Sequence, residues 1–139
     1  GNDKIAGILI ENSITGSTLT SSVAGIGLNV NQEAFPDRIP NPVSLKVITG
    51  RDHDINGCLE GLLKCLDKRY KMVITGERDQ IRKDYIESLY RLNEWHEFIS
   101  GEGIFSGRIL SVGDPGLLIV EDREGRIREF AFKEIEFKI

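Results

Sequence analysis

The feature that most constrains the fold is a change in hydrophobic spacing near residue 100. Before it, residues 54–92 carry apolar side chains three and four positions apart, which predicts two helices, the first capped by Asp54 and the second over about 78–92. After it, short apolar runs alternate with charged residues and are separated by tight turns such as 113–116. This part predicts four short strands that form a small barrel.

The two kinds of spacing divide the chain into two predicted domains and place it in the α+β class. Residues 1–97 hold a hairpin followed by the helices, and residues 98–139 hold the barrel. A barrel of this size has little core of its own. We therefore expect it to pack on the part of the chain that precedes it.

The first thirty residues predict an antiparallel hairpin. Residues 4–12 are interpreted as a buried strand, and a second strand over about 18–29 follows a turn rich in Asn, Ser, Thr and Gly. Gly7 lies inside the first strand, and Gly25 and Gly27 lie inside the second. Because glycine weakens a strand, glycines in its interior indicate a bulge or the close approach of a ligand.

Alternation along the second strand places Gly25, Gly27 and Asn29 on one face. Two glycines form a floor without side chains, and an amide beside it can donate to N7 of adenine and accept from its N6 amine. Lys4 at the rim can bind a carboxylate or a phosphate and stabilise charge that develops in a transition state. These features predict a ligand site on the hairpin.

Other interpretations of these residues stay open on spacing alone. A lysine at the start of a strand is often simply solvated, and a G-x-G pair often marks a tight hairpin. A dinucleotide-binding fingerprint would need glycine at Val30 and a surrounding βαβ unit, and neither is present in the sequence pattern. A nucleotide site of that standard type is therefore not predicted.

Composition narrows the class of protein. The chain has 139 residues with a net charge of −4, which argues against a general nucleic-acid binder. No apolar run approaches the roughly 20 residues that cross a bilayer, and no signal peptide is visible. Cys58 and Cys65 are too far apart on a helix for a disulfide. We expect a cytoplasmic protein with two reduced thiols.

The segments KIAGILIE at 4–11 and GIGLNVN at 25–31 together resemble the biotin–protein ligases. The order that follows, a proline-broken loop, two helices and a small barrel, is similar as well. The resemblance implies the C-terminal part of a class II synthetase-like catalytic core and an SH3-like C-terminal domain. It also implies a ligase that forms biotinyl-5′-AMP from biotin and MgATP. The biotin then passes to a lysine of a carrier domain such as that of acetyl-CoA carboxylase.

The resemblance also implies roles for seven residues. Lys4 is the implied catalytic residue, because it matches a lysine that contacts the biotin carboxylate and the phosphate as the mixed anhydride forms. The implied biotin-binding residues are Lys4, Gly7, Ile8, Gly25 and Gly27, and the implied adenylate-binding residues are Asn29 and Ile26. No residue is implied as a metal ligand; ATP is expected to bring its Mg²⁺.

The sequence departs from the family pattern ahead of Lys4. The basic, glycine-rich loop and the tryptophan-proline-asparagine-aspartate segment of the family are absent, and Asn2-Asp3 lie too close to Lys4 to replace the latter. We therefore expect a piece of a longer protein that is inactive alone and associates through exposed strand edges, by dimerisation or strand exchange. The alternatives are a non-catalytic module that binds a carrier domain and a related lipoate–protein ligase.

Overall fold

The computed structural model describes residues 2–37 and 39–138 and separates into two compact units, residues 1–67 and 68–139. Helices and antiparallel sheets are both present, which confirms the predicted α+β class. The strands are β1 (Ala6–Thr15), β2 (Thr18–Leu28), β3 (Trp95–Ser100), β4 (Gly103–Val112), β5 (Leu118–Asp122), β6 (Ile127–Phe130) and β7 (Ile135–Phe137), and the helices are α1 (Leu45–Thr49), α2 (Ile55–Ile74) and α3 (Arg78–Glu87).

The predicted hairpin is formed by β1 and β2, which pair antiparallel from Ala6↔Leu28 to Thr15↔Thr18. Gly16 in the turn has a φ of 61°, a conformation that glycine adopts without steric cost. The pairing register shifts once, between Ser13 and Ile14. Six large aliphatic side chains of the hairpin are 58–67% exposed: Ile8, Leu9, Ile10, Ile14, Leu19 and Val23.

This exposure contradicts the prediction that residues 4–12 form a buried strand. Within the described residues, the sheet that contains β1 has only two strands. A two-stranded ribbon cannot bury both of its faces, and in water it is marginally stable by itself. β1 is therefore as hydrophobic as a strand in a protein core, although the described part of this chain does not cover it.

Two helix caps define the middle of the first unit. The α1 helix was not predicted. At its N-terminus the Ser44 hydroxyl accepts a hydrogen bond from the backbone N–H of Val47 at 3.1 Å. At its C-terminus Gly50 ends the helix with a φ of 72°. The predicted cap of α2 is confirmed, because the Asp54 carboxylate accepts from the backbone N–H groups of Asn56 and Gly57 at 3.1 and 2.9 Å.

The α2 helix is the longest element, with 20 residues, and it ends at Ile74. Its apolar stripe follows helical spacing but stays exposed at Leu59, Leu63, Leu66, Tyr70 and Val73. Cys58 and Cys65 are both free thiols. Over residues 2–37 and 39–138, no helix combines the length and the apolar character needed to cross a membrane.

The second unit contains a five-stranded antiparallel sheet in the order β6-β5-β4-β3-β7, consistent with an SH3-like domain. Its core is formed by Phe98, Ile109, Val120 and Phe130. Four of the strands match the predicted ones, whereas β3 was missed: it is an interior strand that pairs with both β4 and β7. The predicted domain limit between residues 97 and 98 lies inside β3, and the domain division 1–97 and 98–139 stays a prediction.

The α3 helix ends at Glu87, five residues before the predicted end at Leu92. Leu89 and Leu92 keep helical spacing in the sequence but pack against the barrel core instead. The backbone leaves the helical region there, because Arg91 and Asn93 have φ values of 57° and 60°. Packing of the two leucines thus overrides the local helical pattern.

A buried carboxylate organises the turn between β5 and β6. Asp122 is 2% exposed and accepts from the backbone of Glu124 and Arg126 and from the Arg126 guanidinium, at 3.0, 2.9 and 2.7 Å. Burial acts to raise the pKa of the Asp122 carboxyl, but the hydrogen bonds and the charge of Arg126 outweigh it, so the pKa lies below its usual value. The carboxylate is therefore stabilised in its ionised form.

The depressed pKa of Asp122 predicts a pH-dependent contribution to stability. Because the pKa is lower in the folded chain, the contribution is present above the unfolded value of about 3.9 and is lost as the pH falls through the folded value. We expect Asp122→Asn to be less stable than the unmodified chain at pH 7 and the difference to shrink below about pH 4. Urea unfolding of both proteins between neutral and acidic pH measures this, and a difference that does not change with pH would contradict it.

Gly107 in β4 provides a second test, of the barrel core. A Cβ atom there would lie 2.7 Å from Val120 Cγ1 and 3.0 Å from Phe105 Cε2, so Gly107→Ala overpacks the core. We expect a loss of about 1–3 kcal/mol in the free energy of unfolding, measured by urea denaturation. Gly101→Ala is the matched control, since no heavy atom lies within 4 Å of a Cβ at that position. Equal stability of the two variants would refute the assigned packing.

Candidate functional site

The hairpin brings three glycines together on one face. Gly7 pairs directly with Gly27, and Gly25 pairs with Leu9, so these residues share a face by strand alternation. Among the described residues, no heavy atom lies within 4 Å of a Cβ built on Gly7, and Gly25 and Gly27 each meet only one backbone oxygen, at 3.9 Å. This glycine face (Gly7, Gly25 and Gly27) is a floor without side chains that is bordered by Leu9, the partner of Gly25, and that the rest of the described chain does not fill.

The two isoleucines of the predicted site lie on the other face of the hairpin. Ile8 and Ile26 pair with each other, one step from the Gly7–Gly27 pair, so their side chains project away from the glycine face. The structure therefore splits the predicted residues into two groups. A ligand on the glycine face would reach Ile8 or Ile26 only through their main-chain atoms.

Lys4 lies at the end of β1 and its main chain is held by the segment 41–43. Its N–H donates to the carbonyl of Asn41 at 2.7 Å, and its carbonyl accepts from the N–H of Val43 at 3.1 Å. The Lys4 side chain is exposed. The next residue, Ile5, accepts a backbone hydrogen bond from Asn29 at 2.9 Å, so Ile5 lies opposite Asn29 and Lys4 directly precedes it.

Asn29 follows β2 and continues the register of the glycine face. Its amide nitrogen donates to the carbonyl of Val43 at 3.0 Å and, at a longer 3.5 Å, to the carbonyl of Lys4. The predicted two-point pairing with adenine needs that nitrogen as a donor. With the nitrogen directed at the main chain, Oδ1 is the atom of this amide with which a ligand can bond without breaking these contacts.

The sequence interpretation missed further polar residues that fix this end of the hairpin. The Asn31 amide donates to the carbonyl of His53 and accepts from its N–H, both at 2.9 Å. The buried Ser44 hydroxyl donates to the carbonyl of Gln32 at 2.6 Å while it caps α1. The N-x-N spacing of Asn29 and Asn31, two amides on the same side of an extended segment, was the available signal.

Lys46 is a second lysine near this end, and it is engaged by carboxylates. Its Nζ lies 2.9 Å from Asp52 and 3.1 Å from Glu33. Hydrogen bonds to Asp52 and then to Glu33 raise the pKa of Lys46 above its usual value. Lys46 therefore links the two ends of the segment 33–52, and it is not a free cation for a ligand.

Known proteins similar to this chain include bifunctional ligase/repressors and biotin protein ligases. No family model matches the chain. The bifunctional ligase/repressor BirA of Bacillus spizizenii and that of Bacillus subtilis are each 30% identical over 136 residues, which is 96% of this chain and 42% of each relative. The apo structure of the biotin protein ligase from Aquifex aeolicus superposes with a TM-score of 0.73 at 26% identity, over 98% of this chain and 59% of that one. The chain is similar in sequence and fold to the C-terminal part of these biotin–protein ligases.

A second Aquifex aeolicus structure adds ligands to the comparison. That biotin protein ligase, in complex with biotin and ATP, matches with a TM-score of 0.71 at 26% identity and covers 98% of this chain and 56% of that one. The match to biotin–protein ligases includes both the hairpin and the barrel, because it extends over nearly the whole chain. This chain spans less than half the length of the BirA relatives.

Proposed function

We propose that this chain supplies part of the active site of a biotin–protein ligase. The observation that carries the proposal is the glycine face with Lys4 at its end, within a chain that is related to such ligases over 96% of its length. The ligase couples biotin to ATP as biotinyl-5′-AMP with release of pyrophosphate. It then transfers the biotinyl group to a lysine of a carrier domain, such as that of acetyl-CoA carboxylase.

Each step has a role for residues of this chain. In the first step, a carboxylate oxygen of biotin attacks the α-phosphorus of ATP and pyrophosphate leaves. The Lys4 ammonium neutralises the carboxylate and the phosphate, two anions that repel each other as they approach. In the second step, the amine of the carrier lysine attacks the carbonyl carbon of the anhydride, AMP leaves, and an amide forms.

The glycine face receives the biotin ring system in this proposal. Gly7, Gly25 and Gly27 leave a floor on which a flat, mostly apolar group can lie against the backbone. Asn29 contacts the adenylate through Oδ1. Ile8, proposed for biotin, and Ile26, proposed for the adenylate, would make these contacts through main-chain atoms, because their side chains lie on the other face.

Mg²⁺ enters the proposal only as the ion that accompanies ATP. Within residues 2–37 and 39–138, no three His, Cys, Asp or Glu side chains come together as a metal site. The proposed partner is the carrier domain, and the proposed location is the cytoplasm.

The ligase proposal predicts activity in a chimaera. In the chimaera, this chain replaces the matching segment of the Aquifex aeolicus ligase. The assay supplies biotin, MgATP and a carrier domain, and it measures the biotin incorporated into the carrier. We expect incorporation, and Lys4→Ala should lower the rate about 10²-fold or more because a preorganised charge is lost. Lys64→Ala, a highly exposed lysine on α2, is the matched control and should retain the rate.

The pure chain should incorporate no biotin in the same assay, since it carries only part of the site. A folded chimaera that binds the carrier but forms no biotinyl-5′-AMP would replace the ligase proposal with a carrier-binding role. A chimaera that transfers lipoate instead of biotin would keep the chemistry and change the acyl group. If Lys64→Ala also abolished activity, the effect of Lys4→Ala would not be specific to Lys4.

We also propose that the isolated chain associates through the hairpin, by dimerisation or strand exchange. Among the described residues, β1 and β2 each have one unpaired edge, and the hairpin exposes large aliphatic side chains. Sedimentation at increasing protein concentration should show a species heavier than a monomer. Ile10→Lys should shift the chain toward monomer, because a charge on that strand disfavours pairing. A monomer at every concentration would contradict the association.

A further inference from the structure

The position of Lys4 depends on a short chain of hydrogen bonds that begins at Asn29. The Asn29 amide nitrogen donates to the carbonyl of Val43 at 3.0 Å, and the N–H of Val43 donates to the carbonyl of Lys4 at 3.1 Å. On its other side, the N–H of Lys4 donates to Asn41 at 2.7 Å. Lys4 lies just outside β1, so these bonds replace the pairing that a regular strand would give it.

The orientation of the Asn29 amide follows from its surroundings. Both neighbouring groups are carbonyl oxygens, those of Val43 and Lys4, and both accept hydrogen bonds only. The nitrogen must therefore face them, since the oxygen in its place would meet two further oxygens. The 3.0 Å bond to Val43 is the stronger one, because a donor–acceptor distance of 3.5 Å lies at the weak limit.

We propose that Asn29 is a positioning residue for Lys4, acting through Val43, in addition to any contact it makes with nucleotide. The inference rests on the proposed ligase function. Lys4 has a long, flexible side chain, and the position of its ammonium is set first by its main chain. A shift of about 1 Å in a catalytic group can lower a rate about 10²-fold, so the anchor at Val43 has a kinetic consequence.

The positioning role and a nucleobase contact predict different kinetics. Loss of a nucleobase contact weakens ATP binding in the ground state and the transition state alike, so KM for ATP rises while kcat is kept. Loss of Lys4 positioning removes an interaction that matters in the transition state, so kcat for adenylate formation falls. Loss of the Asn29 anchor should also have no further effect on kcat once the Lys4 side chain has been removed.

The first test needs only the chain itself. Hydrogen exchange of the Lys4 and Val43 amides is measured by NMR in the unmodified chain, in Asn29→Ala and in Asn29→Asp. We expect faster exchange at both amides in both variants, and more so in Asn29→Asp, whose carboxylate faces two carbonyl oxygens. Asn31→Ala is the matched control: its amide holds the His53 main chain, so it should not speed exchange at Lys4. Unchanged exchange at Lys4 and Val43 overturns the anchor.

The second test is a double-mutant cycle in the chimaera described above. Asn29→Ala should lower kcat for biotinyl-5′-AMP formation about 10- to 100-fold, and this loss should vanish when Lys4 is already alanine. Effects of Asn29→Ala and Lys4→Ala that simply add, with KM for ATP raised and kcat kept, would overturn the positioning role and leave a nucleobase contact.

The two tests separate this inference from the proposed function. If the unmodified chimaera forms no biotinyl-5′-AMP, the ligase proposal fails, and Asn29 then has no catalytic residue to position. The exchange experiment still decides whether Asn29 holds the main chain of Lys4. If the chimaera is active and Asn29→Ala leaves kcat unchanged, the ligase proposal stands and the positioning role of Asn29 is refuted.

Discussion

The candidate site depends on the register between β1 and β2. Gly7 faces Gly27 and Leu9 faces Gly25 because the strands meet at Thr15↔Thr18 with Gly16 in the turn, and because the register shifts between Ser13 and Ile14. A slip of one residue in either strand would move its glycines to the opposite face and break up the floor. The turn and the bulge are therefore as important for the site as the glycines themselves.

The two units differ in how completely they bury their apolar side chains. The five-stranded sheet has a core in which Phe98 and Val120 are almost fully buried, with Phe105 and Phe137 stacked or tilted against Phe98. The first unit buries Val43 and Ser44 but leaves the aliphatic residues of its hairpin exposed. A chain that folds alone normally buries such residues, because each contributes about 1.5–3 kcal/mol when it leaves water. The exposed aliphatic side chains therefore indicate a hairpin face that another surface normally covers.

Local chemistry made part of the structure predictable. The Asp54 cap follows from a carboxylate placed before an apolar helical repeat, and the shared face of Gly25 and Gly27 follows from the two-residue period of any strand. These predictions needed no knowledge of distant residues. The main-chain contacts of Lys4 could not be predicted, because the segment 41–43 reaches it through a proline-broken loop whose path no local pattern specifies.

Other errors arose where long-range packing decides the structure. The β3 strand was missed because Trp95–Ser100 has no clear alternation of its own and becomes a strand through pairing with β4 and β7. The end of α3 was predicted too late because Leu89 and Leu92 continue the helical spacing, yet packing on the barrel core draws them off the helix. The α1 helix was missed although both of its signals, Ser44 and Gly50, were present, because a helix of five residues has almost no period to detect.

The two faces of the hairpin are suited to different tasks. The face that carries Ile8 and Ile26 also carries Ala6, Ile10, Ala24 and Leu28, all of them apolar. The other face has three glycines, which contribute almost nothing to a core and leave the backbone open to a ligand, and it also carries Leu9 and Val23. A strand pair that buries one face and binds with the other needs this division, because a side chain cannot pack in a core and contact a ligand on the opposite face. Ile8 and Ile26 therefore belong to the apolar face of the hairpin, on the reverse side of the glycine face.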